Sequence, residues 1–250
     1  MKPLTVADRA AARARQDSNK MRLKMRRLLY LTAALCLTAL TSFGQNMQAR
    51  MLRDWAYLSR YAQENAALTQ TPKVVFMGDS ITELWPRQRP DFFAPNNYLG
   101  RGIGGQTTCE VLVRFRQDVI DIHPKYVALM VGTNDVAENN GVISVENMLN
   151  NIISMCELAK ANNIEVLLCS VTPCKEYSWR KETDPQTKIP AFNALMEDYA
   201  DRTAGVTYVD YFSALTDGNN ACKPEYTVDN CHLTDAGYEV IEAIIQKYIK

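Results

Sequence analysis

The tripeptide Gly78-Asp79-Ser80 directly follows the short apolar run Val74–Met77 and sets a hydroxyl at a strand-to-helix turn. There it is open to a substrate, and the next amides point toward a developing anion. Ser80 has two readings at this point, a nucleophile or the N-cap of the following helix. An alkanol serine is a poor nucleophile without a neighbouring base, usually histidine. The chain has two histidines. His123, in Asp121-Ile122-His123-Pro124, precedes a strand-like run and so falls at the wrong end of a sheet. His232 lies in the late loop Val228-Asp229-Asn230-Cys231-His232-Leu233, three residues after Asp229. That spacing lets Asp229 reach back to orient the ring and stabilise an imidazolium; an incidental Asp and His before a helix is the plainer reading. Two further segments offer oxyanion donors. Gly104-Gly105 permits close backbone approach and leaves the Gly105 amide free to donate, or is simply a tight turn. Asn134, in Gly132-Thr133-Asn134-Asp135, carries a side-chain amide suited to the same task, or is a turn asparagine.

Something must hold these segments together. Five short apolar runs, Val74–Met77, Tyr98–Ile103, Tyr126–Val131, Ile164–Val171 and Val206–Tyr211, do not alternate with polar residues, as expected of strands covered on both faces. Helical patterns lie between them. Thr107 with Glu110 forms a capping box, Ser144 caps a helix running toward Ala161, Pro190 opens another at its first turn, and Thr234 caps the last. Ahead of the first strand, Leu52, Trp55, Leu58, Tyr61 and Ala62 predict a helix from Met47 to Leu68. Strands alternating with helices predict a three-layer α/β/α sandwich around a five-stranded parallel sheet. In such a sheet ligands bind beyond the carboxyl ends of the strands, which is where Ser80, Gly105 and Asn134 fall. Gly102-Ile103-Gly104-Gly105 lacks dinucleotide-binding spacing and follows the second strand, so no nucleotide cofactor is expected.

Composition bounds the rest. The formal charge of zero hides an asymmetry: the first 46 residues hold nine of 28 basic and two of 28 acidic residues, leaving the remainder with 19 basic against 26 acidic. An acidic body repels phosphate backbones, and nucleic acid is not an expected partner. Arg26-Arg27, the apolar stretch Leu28–Leu40 and the exit Thr41-Ser42-Phe43-Gly44-Gln45 describe a secretory signal peptide, too short in its apolar part for a stable span. Residues 1–45 are thus expected to be an extension and signal, and residues 46–250 one exported domain, secreted or periplasmic, with no membrane span after processing. Of the six cysteines beyond residue 45, Cys109, Cys156 and Cys169 sit in apolar patterns and are expected to be buried thiols. Two histidines and no Cys-x-x-Cys pair leave no metal site in prospect.

Taken in order, Gly78-Asp79-Ser80, Gly105, Gly132-Thr133-Asn134-Asp135 and Asp229-x-x-His232 resemble the four blocks of the SGNH hydrolases, also called GDSL-type esterases and lipases. The resemblance covers roughly Lys73 to the C-terminus. It implies a flavodoxin-like fold, no cofactor, Ser80 as nucleophile, His232 as base and Asp229 as its orienter. It further implies an oxyanion hole of the Ser80 and Gly105 amides and the Asn134 side chain. Arg89-Pro90-Asp91-Phe92-Phe93 and Gly102–Thr108 are similar to the acetylhydrolase branch typified by platelet-activating-factor acetylhydrolase. Short acyl esters, acetyl above all and carried on carbohydrate, are the substrate this implies. A lipase or phospholipase acting on longer chains, and a non-catalytic sugar-binding protein on the same fold, are the competing readings. Cys231 departs from the usual small or apolar residue between Asp229 and His232, and a bond to Cys222 would pin that loop. Trp85, Arg101, Tyr177 and Trp179 are candidate pocket walls, with core or rim placement equally open.

Overall fold

A computed structural model describes residues 20–29, 31, 32 and 54–250. The chain divides into two units, Met1–Arg53 and Asp54–Lys250. In the first, residues 20–29, 31 and 32 are helical and exposed; most of the signal-peptide segment lies outside the described residues. Among the described residues no helix is long and apolar enough to cross a membrane.

The second unit is built on a parallel sheet of β1 (Val74–Gly78), β2 (Tyr98–Gly102), β3 (Tyr126–Met130), β4 (Glu165–Cys169) and β5 (Val206–Val209), in the order β2-β1-β3-β4-β5. Every residue of β1 and β3 is buried, because successive side chains feed opposite faces of the sheet. Val75 and Met77 join Val127, Leu129, Val166 and Leu168 against the helices Thr108–Asp118, Val145–Ala161 and Pro185–Asp201. Val74 and Phe76 join Tyr126, Ala128 and Leu167 on the other face, under the helices Ser80–Gln88 and Asp235–Ile245. The three expected layers follow. Gly78 pairs with Gly102 on one side and Met130 on the other, so the ends of the three strands that carry the site segments are level.

The helix starts at Thr107, Ser144 and Thr234 are as expected. Glu110 accepts from the Thr107 amide at 2.9 Å, Ser144 accepts from Asn147 at 3.3 Å, and Thr234 from Gly237 at 3.2 Å. Three expectations need correction. The segment from Asp54 to Tyr61 is a series of turns, and only Ala62–Ala66 is helical; Met47–Arg53 lies outside the described residues. The Asp54 carboxylate draws in the amides of Leu58 and Ser59 at 2.8 and 2.7 Å, a local alternative to helical bonding. Tertiary bonds from Gln106 to the Ala56 carbonyl and from the Tyr61 hydroxyl to Gly102 then fix the turns. The helix expected to open at Pro190 opens at Pro185, with Asp184 accepting from Thr187 at 3.2 Å. Pro190 sits inside it, and the Gln186 carbonyl that it cannot bond accepts instead from Asn220 Nδ2 at 3.0 Å. Cys109 is exposed, because the buried stripe of its helix runs through Thr108, Val111 and Phe115. Among the described residues all six cysteines are free thiols, so Cys222 and Cys231 are not bonded.

Candidate active site

Gly78 ends β1 in a space that admits no side chain: a Cβ there would stand 2.3 Å from both the Met130 carbonyl and Thr82 Oγ1. Asp79 follows as the cap of the Ser80–Gln88 helix, its Oδ1 accepting from the Ile81 amide at 3.1 Å. Ser80 is thus not the N-cap of this helix. Asp79 does the capping, and the half-buried Ser80 hydroxyl lies 2.9 Å from His232 Nε2.

The His232 loop is organised by Asp229. Its Oδ1 accepts from the amides of Cys231 and His232 at 3.1 and 2.7 Å, while Oδ2 lies 2.7 Å from His232 Nδ1. The turn passes through Asn230 at φ +71° and closes with Val228 N–H on the His232 carbonyl at 2.9 Å. With Nδ1–H donating to the carboxylate, Nε2 is the acceptor that faces Ser80. Burial pushes the Asp229 carboxyl upward, but the bonds from the His232 amide and ring outweigh it and hold the carboxyl below its ordinary value. It therefore remains ionised at neutral pH and can balance an imidazolium.

Asn134 is buried in the short Thr133–Val136 helix after β3. Its Nδ2 donates to the Gln106 carbonyl at 3.1 Å and its Oδ1 accepts from Asn139 Nδ2 at 2.7 Å. Gly105 turns the chain at φ +79°, with nothing within 4 Å of where a Cβ would be, and a Cβ on Gly104 would come within 3.6 Å of Ser80 Cβ. The glycine turn thus passes directly beside Ser80. Arg114, fully buried, holds that arrangement from beneath: Nη2 donates to the Gly78 carbonyl at 2.8 Å, Nε to Gln106 Oε1 at 2.6 Å and Nη1 to Asp118 at 2.9 Å. Ser80, Gly105, Asn134, Asp229 and His232 all gather at the carboxyl edge of the sheet.

Of the four candidate wall residues, only Trp179 is on the surface, 45% exposed, with its ring 6.3 Å from that of His232. Trp85 is core, stacked on Phe92 and Tyr238 and donating to Glu242 at 3.0 Å. Arg101 lies buried over the Tyr61 ring, and Tyr177 is buried with its hydroxyl 2.8 Å from Thr133 Oγ1. His123 stands at the amino end of β3, in the left-handed region at φ +57°. Arg114, Gln106 and Asn139 were not singled out by sequence reasoning; only the positive charge within an apolar helix stripe at Arg114 offered a signal.

Asp79 brings an unusual charge next to this centre. Burial, set against the Ile81 amide and the charge of His232, pushes its carboxyl up to about 7. An unfolded aspartate titrates at about 3.9, so between these values the unfolded chain has released a proton that the folded chain keeps. Stability therefore falls as pH rises through that window. Asp79→Asn preserves an oxygen for the Ile81 amide and removes the titration. Its melting temperature relative to the parent is expected to improve between about pH 4.5 and about pH 7.5. Thermal melts at the two pH values check this, and a gap that stays constant contradicts it.

The family described as the GDSL-like lipase/acylhydrolase family has a model that matches residues 76–240. A solved GDSL-like lipase from Bacteroides thetaiotaomicron is 47% identical, with a TM-score of 0.75 over 78% of this chain and 98% of that one. Human platelet-activating factor acetylhydrolase IB subunit alpha2 is 27% identical over 173 residues, 68% of this chain and 72% of the relative. A shorter match, 37% identical over 81 residues, spans 31% of this chain and 33% of a Bacillus subtilis lipoprotein.

Proposed function

Because the chain belongs to the GDSL-like lipase/acylhydrolase family, we propose that it is an exported serine esterase that removes short acyl groups, acetyl above all, from a carbohydrate-type alcohol. The hydrolase domain spans residues 46–250, and residues 1–45 serve as extension and signal peptide. The observation that carries the reading is the unbroken chain from Asp229 to His232 to Ser80, at 2.7 and 2.9 Å.

The reaction uses each contact in turn. His232 Nε2 takes the Ser80 proton as Oγ attacks the ester carbonyl, and Asp229 balances the imidazolium. The carbonyl oxygen, now an anion, accepts from the Ser80 and Gly105 amides and from Asn134 Nδ2. Collapse expels the alcohol, which receives its proton from His232, and leaves an acyl-enzyme. Water then repeats the sequence in reverse order and releases the acid. No step requires a metal or cofactor.

Two features support the choice of substrate. The acetylhydrolase relative cleaves, by its name, a short acyl group. The exposed Trp179 ring beside His232 offers a flat apolar face of the kind on which a sugar ring stacks. Initial rates on 4-nitrophenyl acetate and octanoate, followed by a panel of acetylated saccharides, test the reading. The acetate is expected to exceed the octanoate in kcat/KM by at least about tenfold, with acetate released from at least one saccharide. A preference for octanoate would favour the lipase reading.

A further inference from the structure

The amide of Asn134 can stabilise an oxyanion only if its nitrogen, not its oxygen, faces Ser80. We propose that Asn139 and Trp179 are positioning residues that set this direction, as a relay of hydrogen bonds that starts at an indole N–H; the inference rests on the reading of Asn134 as an oxyanion donor.

The argument begins with a group that has no choice. An indole nitrogen only donates, so the Asn139 atom 3.0 Å from Trp179 Nε1 must be its oxygen. The Asn139 NH2 group then points the other way, and the Asn134 atom 2.7 Å from it must in turn be oxygen. This leaves Asn134 Nδ2 on the far side, where one proton goes to the Gln106 carbonyl at 3.1 Å and the second is free for substrate. Each amide is fixed by the one before it. A reversed Asn134 would set its NH2 against the Asn139 NH2 at one end and, at the other, set its oxygen against both the Gln106 carbonyl and the anion.

The relay is mechanically braced. The Asn139 amide nitrogen donates to the Asn134 carbonyl at 3.0 Å, so both residues belong to one turn. Trp179 leans on Tyr177 with ring centres 5.1 Å apart, and Tyr177 bonds Thr133, the neighbour of Asn134. Trp179 therefore touches two parts of the centre: its face flanks His232 and its edge begins the relay.

Asn139→Asp keeps the acceptor for the indole and replaces the donor to Asn134 by an oxygen. Steady-state kinetics on an aryl acetate are measured for the full chain with Asn134→Ala, Asn139→Asp, Trp179→Phe and the double variant Asn134→Ala/Asn139→Asp, each first shown to melt cooperatively. Asn134→Ala is expected to lower kcat on the order of 100-fold. Asn139→Asp should lower kcat by roughly 10- to 100-fold with KM within about twofold. Trp179→Phe, which keeps the aromatic face and loses only the N–H, should lower kcat several-fold, again without raising KM. In the Asn134→Ala background the Asn139 change should cost less than about twofold, because the group it positions is gone. Additive losses, or losses in KM alone, overturn the relay. A silent Asn139→Asp beside a damaging Asn134→Ala also overturns the relay while leaving the reading of Asn134 intact. A silent Asn134→Ala overturns both.

Discussion

Ser80→Ala is expected to lower turnover of 4-nitrophenyl acetate by on the order of 10⁶-fold while leaving the fold in place. The first half follows from the chemistry: without Oγ there is no acyl-enzyme, and His232 and the oxyanion donors can assist only direct attack by water. The second half follows from the cap. Asp79, not Ser80, caps the helix by accepting from the Ile81 amide, and the Ser80 hydroxyl makes its bond to His232 from a half-buried position. Its loss removes one hydrogen bond from a site that water can reach, a change of no more than about 1 kcal/mol. Rates and thermal melts on the same preparation check both halves. Retained activity in a folded variant would take the nucleophile elsewhere.

Asp229→Asn should cost on the order of 10⁴-fold in kcat. Oδ1 of Asp229 accepts from two backbone amides, so an asparagine placed there keeps its oxygen toward the loop and turns its NH2 toward His232 Nδ1. Facing a donor, the ring is driven to the tautomer with Nδ1 as acceptor and the proton on Nε2. Nε2 then donates to Ser80 and cannot take its proton. The backbone of the loop is unchanged, which separates this variant from Asp229→Ala, where both amides lose their partner as well. A loss confined to kcat, with an unaltered melting temperature, is the expected pattern. Equal damage from Asn and Ala in both quantities would mean that Asp229 only holds the loop.

Much of this was legible in the sequence for specific reasons. The strands were readable because burial on both faces makes them continuous apolar runs, as in Val74–Gly78. The pairing of His232 with Ser80 was readable because a serine acting as nucleophile would need a base and the chain offers only one other histidine, His123, which lies at the opposite edge. What escaped was decided by contacts between distant segments. The turns at Asp54–Tyr61 carry apolar residues at helical spacing, yet bonds from Gln106 and to Gly102 select another path. Pro190 is tolerated within its helix by Asn220, 34 residues from the carbonyl it relieves. Asn139 and Trp179 are 40 residues apart, and nothing local in either marks the bond between them. The capping role passed from Ser80 to Asp79 because a one-residue shift in a helix start is below what pattern alone resolves.

Covalent labelling addresses the central assignment most directly. The full chain is treated with a fluorophosphonate, which reacts with an activated serine hydroxyl, and the adduct is mapped by peptide mass spectrometry in the parent and in His232→Ala. A single adduct on Ser80 that forms at least about 10³-fold more slowly in His232→Ala is the predicted result. An adduct on another residue, or labelling of Ser80 at the same rate without His232, would contradict it.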